Sequence, residues 1–114
     1  GVYDLVSMYG STEELWFPEW EYGGPPWGET GDYERFSPSR LVQQFKTPMF
    51  VIHGAHDYRV PLNQAMQLFT ALQRRGVPSQ FLYFPDETHF VVKPKNTKLW
   101  FNEIHGWLHT WLGD

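Results

Sequence analysis

The sequence predicts an α/β fold from three observations. Residues 49–53 (MFVIH) form a short apolar run that reads as a strand buried on both faces, and residues 80–84 (QFLYF) read as a second strand. Between them Leu62, Ala65, Met66, Phe69 and Leu72 recur at spacings of three and four, the period of one helix face. A last segment places Trp100, Ile104, Trp107, Leu108 and Trp111 on a single helical stripe.

Residues 1–36 are dense in Gly, Pro and Trp and show no sustained period. Ser11 with Glu14 three positions later suggests a capping box for a short helix through Trp16. Pro18 is expected to break that helix, and Gly23-Gly24-Pro25-Pro26 continues no regular element. The segment therefore reads as a short helix followed by a long loop pinned by aromatic packing. Ser37-Pro38 is a helix start, with a Ser cap and Pro at the first helical position, and that helix should run to about Phe45. Pro61 opens the central helix, which closes on Arg74-Arg75-Gly76, a basic last turn and a glycine cap. Asn96 can cap the final helix. The strand–helix–strand order makes one βαβ unit, so parallel strands with a right-handed crossover are expected.

With 114 residues there is room for one domain, and a 41% hydrophobic fraction with six Trp, six Tyr and nine Phe builds a core, which excludes a disordered tail. A net charge of −4 carries no electrostatic footprint for nucleic acid, and the cluster Lys93, Lys95 and Lys98 is too thin to change that. No apolar run approaches the roughly 18–20 residues of a membrane span. The absence of cysteine excludes a disulfide framework, a cysteine nucleophile and a thiolate metal site, and leaves the compartment undetermined. A soluble, aromatic-rich domain without nucleic-acid or membrane partners is expected.

In parallel sheets reactive residues collect in the loops after the carboxyl ends of the strands. One such loop carries Asp57, four residues past the first strand, and the other carries His89, five past the second. Paired strands lie roughly 5 Å apart, so carboxylate and imidazole can meet. This geometry holds a histidine in one tautomer and frees its other nitrogen as a general base. On spacing alone Asp57 is equally a turn residue and His89 a solvent-facing loop histidine. Arg59, beside Asp57, suggests an ion pair that shapes the acid loop, with a carboxylate partner that the sequence does not identify. His53 reads as a satisfied strand-end histidine and Glu87 as an exposed turn charge. His53, His56 and Asp57, even with His89, match no metal-ligand motif; His105 and His109 lack a glutamate between them, so no metal is predicted. Trp16, Trp20 and Trp27 read as packing anchors in preference to a substrate rim.

The run HGAHDYRVP (residues 53–61), the helix end LQRRG and the strand–loop FPDETHF resemble the carboxyl-terminal hydrolase domain of the prolyl oligopeptidase family. The nearest branch is that of acylaminoacyl-peptidase and dipeptidyl-peptidase-like serine peptidases. The likeness covers the whole chain, including LWFPEWEYGG and Ser37-Pro38. It implies an α/β-hydrolase fold with Asp57 as triad acid and His89 as triad base, acting on short peptides without a cofactor. Acid before histidine is the chain order of that fold, with the serine first. The nucleophile elbow G-x-S-x-G is missing: Ser7, Ser11, Ser37, Ser39 and Ser79 all lack its flanking glycines. The family places that elbow upstream. The chain is therefore expected to be the last part of a hydrolase domain, inactive alone and seated beside a companion polypeptide, or to belong to a larger enzyme. Family members often add a β-propeller and self-associate, so a homo-oligomer is expected. The alternatives are an esterase or thioesterase on the same scaffold, and a non-catalytic interaction module.

Overall fold

The computed structural model describes residues 1–29 and 31–113; Thr30, inside the expected loop, and Asp114 lie outside the described residues. In chain order the elements are α1 (Leu5–Tyr9), α2 (Trp16–Tyr22), α3 (Asp32–Phe36), a 3-10 helix (Pro38–Gln44), β1 (Met49–Gly54), α4 (Leu62–Arg74), β2 (Ser79–Phe84) and α5 (Pro94–Leu112).

β1 and β2 pair in parallel, in register from Met49 opposite Ser79 to Gly54 opposite Phe84. Successive strand residues point to opposite faces, and the two helices divide those faces between them. On one face Ala65 and Leu72 of α4 are buried with Val51 and Val77, and Phe45, Met49, Leu68 and Phe81 pack around them. Leu72 is fully buried, and burial of one such side chain contributes about 1.5–3 kcal/mol. On the other face Phe50 of β1 meets Trp107 of α5 with ring centroids 5.5 Å apart. α4 ends as expected: Gly76 adopts φ +70°, the left-handed conformation that glycine takes without strain, and Val77 N–H returns to the Leu72 carbonyl.

A second cluster joins Leu5, Met8 and Tyr33 with Val2, Tyr9 and Tyr22 around them. Tyr33 is held at its far end by donation from its hydroxyl to the Gly24 carbonyl, and burial pushes that hydroxyl's pKa up to about 12. Gln64, fully buried on α4, ties this layer to the βαβ unit. Its Oε1 accepts from the N–H groups of Tyr3 and Asp4, and its Nε2 donates to Ser7 Oγ.

Several expectations for the amino-terminal third are corrected. Ser11 does not start a helix; its hydroxyl donates to the carbonyls of Ser7 and Met8 and closes α1. α1 itself, capped by Asp4, and α3 lay outside the expected elements. Pro18 does not break α2 but sits in its first turn, where no intrahelical N–H is required of it. A helix starts at Ser37-Pro38 as expected, with Ser37 in the N-cap position, but it is a 3-10 helix ending at Gln44, and the Ser37 hydroxyl does not cap it: it donates to the Tyr33 carbonyl and accepts the N–H of Leu5, the first residue of α1. α5 begins at Pro94, and Asn96 spends its amide on Asp86 and Glu87 rather than on a cap. Within the described residues Trp16, Trp20 and Trp27 bury little, being 61%, 79% and 79% exposed, and Trp27 meets Tyr9 edge-on with centroids 5.4 Å apart.

Candidate active site

Because β1 and β2 are parallel and end together, the loops that follow them leave the same edge of the sheet. Backbone bonds lock the loops to each other: Ala55 N–H donates to the Phe84 carbonyl at 2.8 Å and His56 N–H to the Glu87 carbonyl at 2.9 Å. Gly54 permits this approach, for a Cβ there would run into the carbonyl oxygens of Glu87 and Thr88.

Asp57, only 6% exposed, has both carboxylate oxygens engaged. Oδ1 accepts the Val60 N–H at 2.9 Å, a local turn bond, and Oδ2 lies 2.9 Å from His89 Nδ1. An ionised carboxylate can only accept, so against it Nδ1 carries a proton, and in the neutral ring Nε2 is then the nitrogen with the free lone pair. Among the described residues no hydrogen bond reaches that Nε2. His89 is about one-third exposed, and its ring lines both a cavity of about 340 Å³ and one of about 500 Å³. The smaller has apolar walls from Val2, Met8, Phe17 and Val60, with Thr12 and the Glu14–Arg59 pair on its rim.

His53 lies beneath the pair. It is buried, its Nε2–H donates to the Val60 carbonyl at 2.7 Å, and the same nitrogen is 3.5 Å from Asp57 Oδ2. Burial lowers its pKa below the ordinary 6.5, outweighing the Val60 carbonyl and the Asp57 charge. A neutral ring therefore closes the floor of the site. The acid loop is braced from outside by the amino-terminal segment. Thr12 Oγ1 donates to the Arg59 carbonyl at 2.7 Å, Glu13 N–H to the Tyr58 carbonyl at 2.8 Å, and Arg59 Nη2 pairs with Glu14 Oε1 at 2.9 Å. Glu14 is thus the carboxylate that the sequence did not identify.

Glu87 differs from expectation. Far from being an exposed turn charge, it is 2% exposed, and its carboxylate accepts from Val92 N–H, Lys93 N–H and Asn96 Nδ2. Burial alone would raise its pKa, but these donors and the nearby Lys93 charge hold it below the usual range. The only cue in the sequence is its position just ahead of the helix start at Pro94.

The five serine hydroxyls are occupied away from His89. Ser7 bonds the Asp4 carbonyl, Gln64 and Gln67; Ser11 the α1 carbonyls; Ser37 Tyr33 and Leu5; Ser39 Asp4; Ser79 Val77 and Gln73. Among the described residues no group of three His, Asp or Glu side chains is placed to hold a metal ion, and no helix is long and apolar enough to cross a membrane.

Comparison with known proteins follows the same lines. The profile of the prolyl oligopeptidase family matches residues 1–114. The chain is 48% identical over 105 residues to dipeptidyl-peptidase 5 of Aspergillus fumigatus, covering 90% of this chain and 15% of that protein. It is 42% identical to dipeptidyl-peptidase 5 of Porphyromonas gingivalis, covering 98% of this chain and 17% of the relative. Among solved structures, the acylaminoacyl peptidase of Pyrococcus horikoshii superposes with TM-score 0.89 at 22% identity, over 96% of this chain and 18% of that one. A puromycin-hydrolyzing peptidase of Mycobacterium tuberculosis gives TM-score 0.88 at 25% identity, over 99% and 17%. Those chains are α/β-hydrolase peptidases, and the parallel strands with flanking helices match a carboxyl-terminal portion of that fold.

Proposed function

The chain belongs to the prolyl oligopeptidase family, and from that premise we propose that Asp57 and His89 are the acid and base of a serine peptidase whose nucleophile lies outside these 114 residues. The observation that carries the reading is the 2.9 Å bond between Asp57 Oδ2 and His89 Nδ1, made where the two strand-end loops meet and leaving Nε2 toward open space. Support comes also from the serine hydroxyls, all of them bonded to groups other than His89, and from the missing G-x-S-x-G motif.

In this mechanism a serine Oγ from the rest of the hydrolase domain, on the same or a companion polypeptide, attacks the scissile carbonyl while His89 Nε2 takes its proton. The tetrahedral intermediate collapses when Nε2 returns the proton to the departing amine. Water then repeats both transfers to release the acyl group. Asp57 keeps the ring in the Nδ1–H tautomer and stabilises the imidazolium that forms twice per turnover. The Val60 N–H and the His53 floor keep the carboxylate from swinging away. Short peptides are the substrate class, in keeping with relatives named dipeptidyl-peptidase and neighbours named acylaminoacyl peptidase.

The test is turnover of a dipeptidyl or acylaminoacyl anilide by the assembled enzyme carrying His89→Ala. A loss of about 10³-fold or more with the fold intact is expected. Near-normal turnover removes His89 from the chemistry.

A further inference from the structure

Glu87 is a buried carboxylate that the proposed mechanism does not use. Its surroundings nonetheless converge on His89, two residues further along. The side chain grips Val92 N–H at 3.2 Å, Lys93 N–H at 3.0 Å and Asn96 Nδ2 at 2.8 Å. Its own carbonyl accepts His56 N–H, from the loop that carries Asp57. The stretch between, residues 88–91, is closed at its base by these bonds, and Thr97 Oγ1 adds a further tie to the Val91 carbonyl at 3.2 Å. His89 is therefore mounted on a short loop whose two ends are joined through one carboxylate. Through the Glu87 carbonyl, the same residue joins that loop to the acid loop.

We propose that Glu87 is a positioning residue for His89: by clamping the base of the 88–91 loop to the start of α5 and to the acid loop, it sets where the imidazole meets Asp57. The inference rests on the proposed role of His89 as base. All three side-chain contacts are donors, so the site calls for an acceptor with two lone-pair-bearing oxygens. A glutamine there places an NH₂ group against at least one N–H and must release part of the grip. A reacting group displaced by about 1 Å loses about 10²-fold in rate, which sets the scale of the effect.

The experiment uses the assembled enzyme with Glu87→Gln, turnover being divided by the concentration of sites that a fluorophosphonate titrates. The expected result is kcat per titrated site lower by about 10- to 100-fold with KM changed by less than about threefold. A residue that merely stabilises the fold lowers the number of titratable sites and leaves kcat per site at the wild-type value; that result overturns the proposal. Should Glu87→Gln fail to fold, Asn96→Ala removes one of the three donors from outside the loop, and a twofold to tenfold drop in kcat per site is expected of a partly loosened clamp, on the order of one hydrogen bond. An unchanged kcat per site in Asn96→Ala then overturns the proposal. His89→Ala is run alongside. If it retains turnover, the reading of His89 as base has failed; if it is inactive while Glu87→Gln is normal per site, only the positioning role has failed.

Discussion

Replacing Asp57 by Asn changes the chemistry of one atom while leaving the shape of the site. In the native loop Oδ1 accepts the Val60 N–H and Oδ2 accepts from His89 Nδ1, both at 2.9 Å. The asparagine oxygen must stay on the Val60 N–H, since turning the amide over would set NH₂ against N–H. Its NH₂ then faces His89, which accepts that donor only by moving its proton from Nδ1 to Nε2. Nε2 is thereby converted into a donor, and under the proposed role of His89 it can no longer take a serine proton. The same substitution of a triad acid in another serine peptidase costs about 10⁴ in kcat, equivalent to about 5 kcal/mol of barrier. A loss of that order is expected here, with stability changed by no more than about 1 kcal/mol because the Val60 bond is kept. The assay is anilide turnover with active-site titration, beside thermal unfolding of the same preparations. A loss smaller than about tenfold per folded enzyme would refute the tautomer reasoning.

Three further outcomes follow from the packing around the site. Gln64→Leu leaves the N–H groups of Tyr3 and Asp4 without their acceptor, at about 1–3 kcal/mol for each orphaned donor; faster hydrogen exchange at those two amides checks it, and unchanged exchange contradicts it. Gly54→Ala forces the Glu87 and Thr88 carbonyls aside, so a loss of about 1–3 kcal/mol should come with reduced turnover, and wild-type values of both would show that the close approach is not required. His53 contributes a pH dependence: its folded pKa is held below 6.5 mainly by burial, so the unfolded chain takes up the proton first. The stability due to this neutral ring is fully present above pH 6.5 and is lost as pH falls through the folded value. His53→Gln, which keeps a donor for Val60, should flatten the decline of the unfolding midpoint as pH falls below 6.5; an unchanged slope would assign the decline to other groups.

The parts of the fold that were legible in the sequence are those with a period. Leu62, Ala65, Phe69 and Leu72 announce α4, and the two apolar runs announce β1 and β2, because each buries a regular face against its neighbours. The amino-terminal third has no such face. α1 and α3 are five residues each, too short to signal themselves. α1 is held by Gln64 and Ser37 from distant positions, contacts that no local pattern encodes. Pro18 is ambiguous in sequence because a proline breaks a helix interior yet fits a first turn, and the two cases differ only by where the helix begins. Asp57 and His89 were legible as a pair because strand ends fix where their loops emerge. Glu87 was not, since a buried carboxylate depends on three donors that the turn into α5 delivers only once the chain is folded.

Asp57 and His89 as the acid and base of a serine nucleophile are tested most directly by treating the assembled enzyme with a fluorophosphonate and mapping the modified residue by peptide mass. A single labelled serine outside these 114 residues, in a G-x-S-x-G sequence, is expected, with labelling abolished by His89→Ala. Label on Ser7, Ser11, Ser37, Ser39 or Ser79, or labelling that survives loss of His89, would contradict it.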